Sequence, residues 1–100
     1  MEYKGYKLNV SFTNADVLEA FGHLQNDVKD ELKKLDTNKS IDNIVACIRN
    51  TGSLVKSFVE ACDGDFDEIF PKADIKDYFS FIKAVSEHFA KVDFSDMKLD

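Results

Sequence analysis

The chain has 100 residues, 44% of them apolar, with nine Phe and three Tyr, which is enough for one hydrophobic core and too little for two, and excludes a disordered chain. Its 19 acids against 13 bases give a net charge of -6 with a single Arg (Arg49), a balance that argues against gripping a phosphate backbone directly. No apolar run approaches the roughly 20 residues that cross a bilayer, and Met1-Glu2-Tyr3-Lys4-Gly5-Tyr6 lacks the apolar stretch of a secretory signal, so a cytoplasmic protein with no membrane partner is expected.

Tyr6, Leu8, Val10 and Phe12 alternate with Lys7, Asn9 and Ser11, the period of a strand with one buried face. Tyr3-Lys4-Gly5-Tyr6 could form the first arm of a tight hairpin, giving a strand or hairpin over about 3–12. If that arm is too short, the strand 6–12 keeps an open edge that can add to a partner sheet or build a homo-oligomer. Thr13 is placed to cap the next helix, with Asp16 at the positive end of its dipole. Val17, Leu18, Phe21, Leu24, Val28, Leu32 and Leu35 then hold helical spacing, which predicts a helix over about 14–35.

Asp36-Thr37-Asn38-Lys39 reads as a loop and Ser40 as the next cap. Ile41, Ile44, Val45, Ile48, Val55, Phe58, Val59 and Cys62 form one stripe. Its register survives Thr51-Gly52-Ser53, which predicts one helix over about 41–62. Gly52 within it implies close approach of another backbone, or a bend; the alternative is two helices broken at Thr51-Gly52. Cys47 and Cys62 then stand about 22 Å apart on one helix, out of disulfide reach. They read as reduced, small apolar residues. Asp63-Gly64 ends the helix, with Gly64 suited to a left-handed cap. Phe66 to Phe70 reads as a helical turn stopped by Pro71. Asp74 caps a last helix, about 74–92, with the stripe Ile75, Tyr78, Phe79, Ile82, Val85, Phe89 and Val92. Residues 93–100 are expected to fray. The fold class is therefore mainly α: a three-helix bundle with a short N-terminal strand or hairpin, in one domain over 1–92.

No residue pattern points to catalysis. There is no GxSxG, no P-loop and no Gly-rich nucleotide turn, neither Cys has a basic neighbour, and His23 and His88 are isolated. No cofactor is expected. Asp63, Asp65 and Asp67, with Asp74 at the twelfth position, echo a calcium loop, but Glu68 replaces the turn glycine and Asp74 the bidentate Glu. The simpler reading makes these acids helix caps. The aromatic set is dense, and Phe81 lies off the last helix's stripe. Either the Phe66–Phe70 segment folds over that helix and completes the core, or Phe66, Phe70 and Phe81 form an exposed patch rimmed by Asp63, Asp65 and Asp67 that binds another protein.

The strand ending near Phe12, the start Thr13-Asn14-Ala15-Asp16, the charged first helix, the stretch Val55-Lys56-Ser57-Phe58-Val59-Glu60-Ala61-Cys62 and the segment Asp67-Glu68-Ile69-Phe70 before a last amphipathic helix form a scheme. It resembles the small, acidic, helical proteins encoded among the tail genes of phages and prophages of Gram-positive bacteria. The turn Asp63-Gly64-Asp65 has fewer glycines than is usual there, and Pro71 is a further departure. The resemblance implies no catalytic residues. It implies a chaperone-like role in tail assembly in the host cytoplasm, covering apolar surface on a tail-tube or tape-measure protein. Two other readings follow from the residues: an acidic inhibitor that occupies a nucleic-acid groove on a host protein, and a weak calcium-binding module.

Overall fold

The computed structural model describes residues 1–91. It opens on a hairpin of β1 (Glu2–Tyr3) and β2 (Tyr6–Lys7), paired Glu2 with Lys7 and Tyr3 with Tyr6. The two turn residues, Lys4 (φ 50°) and Gly5 (φ 85°), are both left-handed, as a two-residue turn matched to strand twist requires. The pairing extends to Met1 and Leu8, whose N–H donates to the Met1 carbonyl at 2.8 Å. Asn9 N–H then donates to the Cys62 carbonyl at 2.9 Å. The expected strand over 6–12 is thus corrected: the ladder is short because its first arm is short. The alternation still shows, with Leu8 buried and Lys7 and Asn9 exposed, because the extended segment lies against the helices. With Leu8 and Asn9 already bonded within the chain, the edge offered to a partner sheet shrinks accordingly.

The first helix, α1 (Ala15–Thr37), is capped by Asn14, whose side chain accepts from the N–H groups of Asp16 and Val17. Thr13, the expected cap, instead sits 3.0 Å from the Ser11 hydroxyl. The second, α2 (Ile41–Ala61), starts at Ser40 and runs unbroken through Thr51-Gly52-Ser53. Gly52 is needed for a side chain rather than a backbone: a Cβ there would lie 2.8 Å from the Tyr78 hydroxyl and 3.0 Å from its ring. The helix ends with Gly64 N–H donating to Val59 C=O and Asp63 N–H to Glu60 C=O, the paired bonds of a Schellman cap. Asp63, at φ 60°, takes the left-handed position expected of Gly64. Gly64 serves close packing instead, since a Cβ there would meet Leu8 Cδ2 and come within 2.8 Å of Val59 Cγ1.

A single turn, α3 (Phe66–Ile69), is capped by Asp65, and α4 (Ile75–Ala90) by Asp74. The helix end expected at 92 and the tail 93–100 lie outside the described residues. The architecture is the expected one, a mainly α bundle of α1, α2 and α4 with a two-strand N-terminal hairpin. Among the described residues, no helix is long and apolar enough to cross a membrane.

The core is built on rings. Phe81 packs edge-on against Tyr3, Phe58 and Phe70, and Phe21 stacks on Phe89 at 3.8 Å between centroids. Phe12 meets Phe89 edge-on at 4.3 Å. On α4 the buried line is Tyr78, Phe81 and Val85, while Phe79 is exposed. The expected stripe holds at Ile75, Tyr78, Ile82, Val85 and Phe89, with Phe81 buried in place of Phe79: α4 is covered by α2 on one side and by α3 and the hairpin on another, so the rings of both partners gather around Phe81.

Candidate interaction surface

Of the two arrangements left open by the sequence, the structure shows the first: the Phe66–Phe70 segment folds over the last helix and completes the core, and the alternative exposed patch does not form. Phe81 is fully buried and Phe70 is 4% exposed, both within the core, and half-buried Phe66 lies against Phe70 and Tyr78. The expectation of an exposed Phe66/Phe70/Phe81 face is therefore corrected: α3 folds down over α2 and α4, and burial of three rings outweighs leaving them in water by several kcal/mol, at about 1.5–3 each. The acids Asp63, Asp65 and Asp67 are exposed beside it. Asp63 accepts from Asn9 Nδ2 at 3.3 Å and Asp65 from Glu68 N–H at 3.3 Å, while Asp74 accepts from Lys76 N–H at 2.9 Å. Three of the four loop acids so engage donors within the chain. Among the described residues no three His, Cys, Asp or Glu side chains are grouped as a metal site.

The exposed apolar surface lies elsewhere, at the far end of the α1–α2 hairpin. Ile41 is 79% exposed, Val45 42%, Ile44 40% and Leu32 39%. Between the helices runs an open groove of about 500 Å³, lined by Leu32, Leu35 and Ile44, with Asp36 and Lys39 beside them. The main core cluster reaches Leu24 on α1 and Val55 on α2, with Ile48 packed at its edge and Gly52 against Tyr78 of α4. Beyond it Val28 and Cys47 are still buried, and among the described residues no third helix covers the end of the pair. The reason is where α4 begins: Tyr78 in its first turn already lies against Gly52, and Phe81 one turn on against Phe58, so α4 runs away from the hairpin end. The stripes themselves do not say which turns find a partner. Leu18 and Phe79 are also part-exposed, as single positions on different helices, which is ordinary for a folded surface.

Other features are structural. Cys47 and Cys62 are free, buried thiols, as expected. Burial, helped by the Asp63 carboxylate and opposed by the N-terminal ammonium, pushes the Cys62 thiol up to about 11, so it stays protonated at neutral pH and is a poor nucleophile. His88 lies against the Phe12 ring at 5.5 Å. Burial, with the positive charges of the N-terminal ammonium and Lys91, holds it below the usual histidine range. His23 pairs with Asp27 at 3.0 Å on an exposed helical turn. A cleft of about 230 Å³ beside Gly52, lined by Arg49, Lys56, Phe66 and Tyr78, is smaller than typical ligand pockets.

Comparison with protein-family models, curated proteins and solved structures gives no match.

Proposed function

We propose that the protein works by touching another polypeptide rather than by transforming a molecule, and that the end of the α1–α2 hairpin is the contact surface. The observation that carries this reading is the two-helix groove lined by Leu32, Leu35 and Ile44, with Ile41 one helical turn before Ile44 and Val45 directly after it also exposed on α2 and, among the described residues, no third helix over it. A groove between two helices accepts the apolar face of a third, read out at helical spacing. With the resemblance of the chain to phage tail-region proteins, this makes the protein a chaperone-like factor of tail assembly. Its client is a tail-tube or tape-measure protein whose apolar helix it covers in the host cytoplasm until assembly. Co-expression with the products of adjacent genes, followed by light scattering, tests this. A client complex that tolerates salt and is lost in Ile44→Asp supports it; a complex unaffected by Ile44→Asp contradicts it.

One observation favours a second reading, mimicry of nucleic acid on a host protein. Asp63, Asp65, Asp67 and Glu68 are exposed together, and among the described residues none of them makes an ion pair. Binding that falls steeply with salt and is lost on neutralising these acids would favour it.

A further inference from the structure

We propose that the cleft beside Gly52 binds a carboxylate carried on an aromatic or branched apolar group, with the Tyr78 hydroxyl and the Arg49 guanidinium as its donors. This site is separate from the end of the α1–α2 hairpin, and neither depends on the other.

The cleft lies where α2 meets α3 and the start of α4. Its lining holds two bases, Arg49 and Lys56, with the rings of Phe66, Phe70 and Tyr78, and no acid. Tyr78 is only 3% exposed, yet among the described residues its hydroxyl makes no hydrogen bond. Nor is that hydroxyl sealed in: the fully enclosed hydroxyls without a partner are those of Tyr3 and Thr51. It lies against the lining residue Gly52, where an added Cβ would sit 2.8 Å from it, and so opens into the cleft. A polar group this buried costs free energy until it is paired, and an acceptor entering the cleft pairs it. Phe66 and Phe70 flank the Tyr78 ring at 6.2 and 5.4 Å between centroids and hold it in place. Burial, opposed by Arg49 and aided by the Asp77 and Asp74 carboxylates, pushes the phenol pKa up, so at neutral pH the hydroxyl keeps its proton to donate.

Charge and size set the class of ligand. Arg49 makes no ion pair among the described residues, and Lys56 reaches Glu60 only at 4.0 Å. Asp77 is paired with Lys4 at 3.8 Å and Asp74 caps α4, and neither lines the cleft. Two cations against Glu60 leave one positive charge, which a carboxylate neutralises and a phosphate dianion overshoots. The guanidinium fork and the phenol match the two oxygens of a carboxylate, and the rings face its apolar part. At about 230 Å³ the cleft is too small for a drug-sized molecule and takes a single group. That group is a small free acid, or the last residue of a polypeptide with its terminal carboxylate.

Nuclear magnetic resonance of the isotope-labelled protein, titrated with benzoate to about 20 mM, reads the millimolar affinities expected of so small a contact. Benzoate should shift the amides of Gly52, Ser53 and Tyr78, and benzamide, its neutral counterpart, should not. Tyr78→Phe and Arg49→Gln should each weaken benzoate by about tenfold at an unchanged urea midpoint, since one removes an unpaired hydroxyl and the other an exposed charge. Ile44→Asp should leave benzoate binding intact. No shift at these amides would overturn the proposal. So would shifts that benzamide or inorganic phosphate reproduces at equal strength, or benzoate binding that neither Tyr78→Phe nor Arg49→Gln weakens. A tripeptide ending in Phe, with its carboxylate free or amidated, separates the two sources. Tighter binding of the free form than of benzoate makes the ligand a chain terminus, and weaker binding makes it a small acid. Equal binding of the free and amidated peptides would contradict recognition of the carboxylate.

Discussion

Gly52 and Gly64 separate what a residue does for its own helix from what it does for its neighbours. Alanine is the better helix former by about 1 kcal/mol, so an isolated α2 would gain from Gly52→Ala. In the folded protein the new methyl meets Tyr78, a ring that cannot swing aside because Phe66 and Phe70 flank it. Gly52→Ala is expected to destabilise by about 1–3 kcal/mol by overpacking, read as a lower urea midpoint at unchanged slope. Gly64→Ala should do the same against Leu8 and Val59. His88 gives a pH signature. Its folded-state pKa lies below the usual 6.5, so the unfolded chain takes up the proton first. The stability tied to its neutral form is complete above about 6.5 and is lost as pH falls through that value toward the folded pKa. The urea midpoint should therefore drop between pH 7.5 and 5.5 in the wild type and drop less in His88→Phe, which keeps a ring against Phe12.

At the scale of elements, the ring core and the end of the α1–α2 hairpin should respond to substitution by very different amounts. Phe81→Ala removes a fully buried ring from between Tyr3, Phe58 and Phe70 and should destabilise by about 3–5 kcal/mol. Val45→Asp at the hairpin end replaces a part-exposed side chain and should move the thermal midpoint little, by less than about 0.5 kcal/mol in stability. Both are read by circular dichroism melts. The helices themselves were legible in the sequence because period 3.6 and cap residues are local: Ser40, Asp74 and the unbroken stripe across Gly52 all stand where the pattern put them. The ladder is shorter than the 6–12 pattern, because period two reports one buried face and not a ladder partner. Phe81 is left undecided by the sequence because its surroundings come from three other elements, α2, α3 and the N-terminal hairpin. The proposed contact surface is hidden from sequence for the same kind of reason: Ile41 and Ile44 continue the stripe of Val55 and Phe58, and among the described residues they are uncovered because α4 begins level with Gly52.

The described residues span 53 × 27 × 19 Å, a ring-filled body extended by a two-helix arm. The body is acidic, and the arm is nearly neutral and apolar at its end. This division predicts uneven opening: amides of α2 around Val55–Val59 should exchange only with global unfolding, and those of the arm sooner. Exchange therefore tests the central claim most directly. Amide hydrogen exchange should be followed across the chain with and without an excess of a neighbouring gene product. Protection should grow over residues 28–48 and nowhere else by comparable amounts. Protection confined to residues 63–70, or absent from the arm, would contradict the proposed assignment of the hairpin end as the contact surface.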